Sequence, residues 1–187
     1  MDSIPSIRME LAPEGRIYPT ADWIAKQQPK ISAVAVIVAP IENQKSVLLT
    51  RRVSYDGVHG GQMSFPGGRV EPNETLLEAG IRETEEEVGI DLSTTPIWAE
   101  LQPLYIPPSN FLVHPFVFEL THLPNLQTNH EVEYTRWIPW SDLVAAPLQF
   151  QSIAGNRRVP GFLFEPDFVW GATGMLLNEI RKTLFLD

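Results

Sequence analysis

The residues whose types and spacing hold the most chemistry are Glu83, Glu86 and Glu87. At about 100° per residue they fall within roughly a 100° sector of one helix. Leu77, Ile81, Thr84 and Val88 share another sector, so one face can dock on a sheet while a second presents three carboxylates. Glu78 and Glu85 fall elsewhere and are expected in solvent. Like charges at i,i+3 and i,i+4 each destabilise a helix by about 0.2–0.5 kcal/mol. Shielded from water, the repulsion grows to a few kcal/mol at an effective dielectric of about 20. A hard divalent cation offsets it directly: magnesium takes oxygen ligands, keeps several waters and is shared with substrate phosphates. From the charge run alone, a solvated acidic face is the simpler reading. Helix geometry by itself leaves both readings open.

The surrounding residues separate them. Residues 68–90 read GRVEPNETLLEAGIRETEEEVGI. This stretch resembles the box of the Nudix hydrolase family: Gly, five residues, Glu, seven residues, Arg-Glu, an aliphatic, any residue, Glu-Glu, any residue, Gly, an aliphatic. Gly68, Glu74, Arg82, Glu83, Glu86, Glu87, Gly89 and Ile90 stand at those positions, and Thr84 replaces the first aliphatic. The resemblance implies an α/β (α+β) fold, an α/β/α sandwich with a mixed sheet, in which the box forms a loop–helix–loop. It also implies Glu83, Glu86 and Glu87 as ligands of Mg2+, with Mn2+ as a substitute and a backbone carbonyl near Gly68 helping. The chemistry is consistent, because water attacking a diphosphate is repelled by anionic oxygens and cations on those oxygens relieve the repulsion. Arg82 is expected to orient a helix carboxylate, and Glu74 to be structural, at the helix start or paired with a basic group. Gly80, mid-helix at a cost of about 1 kcal/mol relative to Ala, points to close backbone packing.

Upstream, residues 48–68 read LLTRRVSYDGVHGGQMSFPGG. They resemble the signature of the coenzyme A pyrophosphatase branch: Leu-Leu-Thr, one residue, Arg, Ser or Ala, three residues, Arg, three residues, Gly, three residues, Phe-Pro-Gly-Gly. Leu48, Leu49, Thr50, Arg52, Gly61, Phe65, Pro66, Gly67 and Gly68 fit in register, Val53 replaces the small residue, and Gly57 stands where the second Arg would be. A guanidinium there could hold phosphate, and His59, Arg51 and Arg157 are the candidates to replace it. Val169-Trp170-Gly171-Ala172-Thr173 also looks like that branch. The implied reaction cleaves coenzyme A to 3′,5′-ADP and 4′-phosphopantetheine, with Arg51, Arg52, His59 and Phe65 as substrate contacts. ADP-ribose or a dinucleotide is the alternative substrate, favoured by Gly57. A catalytically silent nucleotide-binding domain is a third reading, opposed by the intact carboxylate set.

Glu131 competes with Glu86 as general base, or is an extra metal ligand from a loop, Glu87 being the third catalytic carboxylate; a surface carboxylate before a strand is an equal reading of Glu131. His114, His122 and His130 have no mutual metal-ligand spacing. Trp137, Trp140 and Trp170 are expected in the core.

The elements that must position these groups follow from the pattern. Ile31–Val38 and Ser46–Arg51 read as strands joined by the turn Glu42–Lys45, and 54–61 as a Gly-bearing loop. Met63–Phe65 is a short strand. Asn73 is the expected N-cap of the acidic helix and Gly89 its stop. Pro96–Tyr105, Phe111–Leu120 and Val132–Trp137 read as strands, Ser141-Asp142 opens a short helix, and Pro147–Pro166 is a Pro/Gly-bearing connection to a last helix from Phe168 to Leu184. Residues 1–30 are an irregular or partly helical lead-in.

The 187 residues, 43% hydrophobic, fit a single domain, 1–187. A net charge of −9, with basic pairs scattered, excludes the basic stripe of a long-nucleic-acid binder and leaves a small nucleoside diphosphate derivative as partner. No apolar run reaches the ~20 residues of a membrane span, and the first 30 residues lack a secretory h-region. With no cysteine, disulfides and thiolate chemistry are excluded, and a reducing cytoplasm is the expected setting. The resemblance adds a homodimer as the expected assembly.

Overall fold

A computed structural model describes residues 3–13, 15, 16, 18–54, 60–153 and 157–184. The backbone divides into two compact units, Thr20–Pro139, and Met1–Pro19 with Trp140–Asp187.

The first unit opens with α2 (Ala21–Lys26), preceded in the chain by α1 (Ile4–Met9) of the other unit. Strands β1 (Lys30–Ile41) and β2 (Gln44–Arg52) form an antiparallel hairpin with Ile41 opposite Gln44. Glu42 and Asn43 both have positive φ, 47° and 65°, which matches the twist of a two-residue hairpin turn. Then follow β3 (Met63–Ser64), β4 (Gly67–Arg69), α3 (Leu76–Val88), β5 (Ile97–Glu100), β6 (Leu104–Ile106), β7 (Phe111–Glu119) and β8 (Val132–Pro139). They make an eight-stranded mixed sheet with the path β3-β2-β1-β7-β5; β4 pairs with β1, β6 with β7 and β8 with β2. Only the β1–β7 pairing is parallel among these ladders. The expected mixed-sheet α+β fold is therefore present.

The core explains the order. Ala33, Ala35 and Ile37 of β1, at the two-residue strand period, cluster with Leu48, Ala79, Val88, Phe116 and Phe118, all buried. Leu76, Leu77 and Ile81 pack against the same cluster, so α3 docks through the face its periodicity marks. Small Ala33 and Ala35 let the helix come close to β1. Gly80 is less constrained than expected: an added methyl would sit 3.6 Å from Ala33 Cβ and 3.8 Å from Phe116 Cδ2, which is ordinary contact.

The second unit holds α1, α4 (Trp140–Ala145), β9 (Gln149–Ile153), β10 (Arg157–Phe164), β11 (Asp167–Trp170) and α5 (Gly171–Thr183). Its three strands form an antiparallel sheet in the order β11-β10-β9. Inside it, Arg8 of α1 is fully buried and its Nε donates to Glu179 of α5 at 2.5 Å. Asn178 Nδ2 donates to Ile7 O at 2.7 Å, fastening the same two helices.

Three expectations are corrected. The N-cap of α3 is Thr75: its hydroxyl accepts from Glu78 N–H, and Glu78 reaches back to Thr75 N–H at 2.8 Å, a capping box. Asn73 instead takes a left-handed turn conformation, φ 68°. Pro96–Tyr105 is two strands, because Gln102 and Pro103 interrupt pairing with β7. The Pro147–Pro166 stretch contains β9 and β10, and Phe168 lies in β11, so the last helix starts at Gly171. Pro160 sits within β10 opposite Phe150, where proline propensity pointed away from a strand.

Candidate active site

The acidic face of α3 meets the ends of two strands. Strand β4 pairs with β1, Gly68 opposite Ala33, which lays the Gly67–Gly68 backbone beside the helix. A Cβ on Gly68 would collide with the Glu83 carboxylate, so glycine is required for that carboxylate to lie against the backbone. Gly67 N–H donates to Glu87 Oε2 at 3.2 Å. Glu87 is 3% exposed, while Glu86 stays exposed. Thr84, where the family pattern has an aliphatic, is buried and donates to Gly80 O at 2.7 Å, which satisfies its hydroxyl within the helix.

Two arginines divide the carboxylates. Arg82 grips Glu74 with a fork, Nε to Oε1 at 2.7 Å and Nη2 to Oε2 at 3.1 Å, and also reaches Glu83 at 2.9 Å, Glu86 at 3.4 Å and Arg69 O at 3.2 Å. Glu74 thus ties the loop to the helix, and the Arg82 bond holds its carboxyl below the usual carboxylate range. The same bond raises Arg82. Arg52, at the end of β2, lies 3.6 Å from Glu87 and 3.4 Å from Glu131. The β2–β8 register shifts between Arg51 and Arg52, passing from Tyr134 to Val132. Such an irregularity re-aims neighbouring side chains: Arg51 reaches Glu133 at 3.5 Å and lies over the Tyr134 ring.

Burial and electrostatics act together. Burial pushes Glu87 up to about 7, against the pull of Arg52 and Gly67 N–H, while Glu83 and Glu131 add to the rise. Burial likewise raises Glu83, opposed by Arg82. Both carboxylates thus hold their protons more firmly than free ones, because burial and neighbouring like charge penalise the ionised form.

Glu131 is set by its backbone. Its N–H donates to Asn129 Oδ1 at 2.9 Å and its carbonyl accepts from Val53 N–H at 2.9 Å. Asn129 N–H and Gln127 N–H donate to the carbonyls of Glu87 and Val88 at 3.2 and 2.9 Å, satisfying the free end of α3. Asn129 and Gln127 escaped the sequence reading; the available signal was an Asn two residues before Glu131, the pattern of an Asx turn. Phe65, expected at substrate, is 3% exposed and packed inside its unit. His59 and Gly57 lie outside the described residues.

The donor set is all oxygen, as Mg2+ or Mn2+ demands, and the Gly68 cradle leaves room for a carboxylate against the backbone. As the side chains stand, no three acidic or histidine groups among the described residues have metal-holding geometry. The arginines account for this, since Glu83 and Glu86 lean to Arg82 while Glu87 leans to Arg52.

A family model, the NUDIX domain, matches residues 31–157. Nudix hydrolase 3 of Caenorhabditis elegans is 32% identical over 176 residues, covering 82% of this chain and 73% of that protein. A Yersinia pestis protein described as the uncharacterized Nudix hydrolase NudL is 30% identical over 156 residues, 79% of this chain and 78% of its own length. Among solved structures, the Nudix hydrolase RenU of M. smegmatis superposes with a TM-score of 0.60 at 15% identity, covering 82% and 84% of the two chains. That last likeness concerns the fold alone.

Proposed function

Because the chain belongs to the Nudix family, we propose that it is a Mg2+-dependent diphosphatase of coenzyme A or its acyl derivatives, releasing 3′,5′-ADP and 4′-phosphopantetheine. The observation that carries the reading is the meeting of two motifs. Arg52, from the stretch resembling the coenzyme A branch, lies 3.6 Å from Glu87 of the box helix. Glu83, Glu86 and Glu87, with a carbonyl near Gly68, would hold the ion. Bound there, Mg2+ supplies neutralisation of the linked phosphates and a more acidic water. The protein's own groups do the rest. Arg52 stands where an anionic diphosphate would meet the cluster. Glu131 and Glu86, with side chains 49% and 57% exposed, are the carboxylates open to take the proton of the attacking water. Glu87, buried and bonded to Gly67 N–H, keeps its place as a ligand.

Gly57, in place of an expected arginine, favours a second substrate class, ADP-ribose or a dinucleotide. The test offers coenzyme A, ADP-ribose, dinucleotides and nucleoside triphosphates to the protein with Mg2+ and resolves products by mass. Release of 3′,5′-ADP from coenzyme A as the fastest reaction is the expected result. Faster AMP release from ADP-ribose would replace the first reading by the second, and inertness toward every substrate would turn the site into a binding module.

A further inference from the structure

Resting on the metal-dependent reading above, we propose that Arg52 is an exchangeable counter-ion. It holds Glu87 and Glu131 while no cation is bound, and cation uptake releases it to the substrate's phosphates. The inference starts from the unequal grip of the two arginines. Arg82 makes a two-toothed fork on Glu74, with further partners in Glu83, Glu86 and the Arg69 carbonyl. A guanidinium held by so many short bonds stays where it is. Arg52 reaches Glu87 and Glu131 at 3.6 and 3.4 Å, beyond the 2.7–2.9 Å typical of charge-assisted bonds, and its side chain is 27% exposed.

Glu87 makes the exchange necessary. A carboxylate 3% exposed requires a compensating charge, and Arg52 supplies it beside the Gly67 N–H. A divalent ion on the same carboxylate supplies more charge and repels the guanidinium. Arg52 then swings on its long stem from a strand end where pairing is already irregular. Its planar fork matches two phosphate oxygens. Cation and diphosphate would thus bind cooperatively through one side chain, and a diphosphate arriving first would meet an arginine already engaged.

Calorimetric and paramagnetic-resonance titration of the whole protein with Mn2+ alone, at alkaline pH, tests this. Arg52→Gln should bind Mn2+ about fivefold more tightly or better than wild type, since no guanidinium has to leave, while the Mn2+-induced gain in ADP affinity should shrink by at least about fivefold. Arg52→Lys should keep the wild-type Mn2+ affinity but not the ADP affinity, because an ammonium lacks the fork. Unchanged or weaker Mn2+ binding by Arg52→Gln overturns the exchange and leaves the diphosphatase reading standing. No Mn2+ uptake by wild type overturns both. Wild-type protein also answers without a variant: on Mg2+ addition the Arg52 Nε–H resonance should shift strongly and the Arg82 one far less. An Arg52 signal that stays still while Mg2+ binds removes the proposal.

Discussion

At the scale of single residues, Glu87 combines properties that oppose one another. It is nearly excluded from water, yet it sits beside two other carboxylates and receives one N–H and one distant guanidinium. Burial is what lifts its proton affinity, and carboxylates perturbed in this way cluster at functional sites. Glu87→Gln keeps the size and the Gly67 bond, so the melting temperature should be kept or raised while kcat falls by on the order of 100-fold or more. Wild-type turnover in that variant would remove Glu87 from the ligand set. Gly68→Ala forces a Cβ onto the Glu83 carboxylate. Activity and Mn2+ affinity should therefore drop together in Gly68→Ala, measured by rate and calorimetry on the same preparation.

At the scale of the element, α3 works because both ends are fixed. Thr75 and Glu78 close its start, Gly89 its finish at φ 73°, and Gln127 and Asn129 cover its last carbonyls. Thr75→Ala should cost about 1 kcal/mol in denaturant titration, because the Thr75 hydroxyl accepts the Glu78 N–H at the helix start. Gly89→Ala should cost about 1–2 kcal/mol for its left-handed backbone, with Gln127 Cβ only 3.0 Å from the new methyl. Gly80→Ala has the opposite sign: with open contacts at 3.6 and 3.8 Å it should gain up to about 1 kcal/mol of helix propensity. A destabilised Gly80→Ala would show that α3 packs closer to β1 than these distances allow.

At the scale of the molecule, each compact unit has its own fastening. In the unit that joins the two chain ends, the buried Arg8–Glu179 pair is the weak point, with both side chains almost sealed from water. Arg8→Ala leaves Glu179 charged and alone, at a cost of about 3–5 kcal/mol; a denaturation midpoint unchanged from wild type would show that water reaches Glu179. Ion binding should act on the other unit. Mg2+ at about 100 times its Kd should stabilise the protein by about 2.7 kcal/mol. Chelation should reverse both that gain and the activity. Among the described residues, no helix is long and apolar enough to cross a membrane.

The sequence by itself determined the acidic helix, its apolar docking face, the two strands β1 and β2 and the motif that identifies the family, because each depends on spacing within a few turns or strand repeats. Arg82 as an orienting partner and Glu74 as a paired, structural carboxylate were legible for the same reason. Tertiary structure alone decided which carboxylate is buried and which arginine lies beside it. Those outcomes depend on a β2–β8 irregularity and on residues 35 or 79 positions apart in the chain meeting at one place. It also decided that a proline-bearing stretch pairs as β9 and β10, and that Phe65 is sealed inside its unit. Local propensity carries no information about such partners, since they are supplied by chain segments far away in sequence.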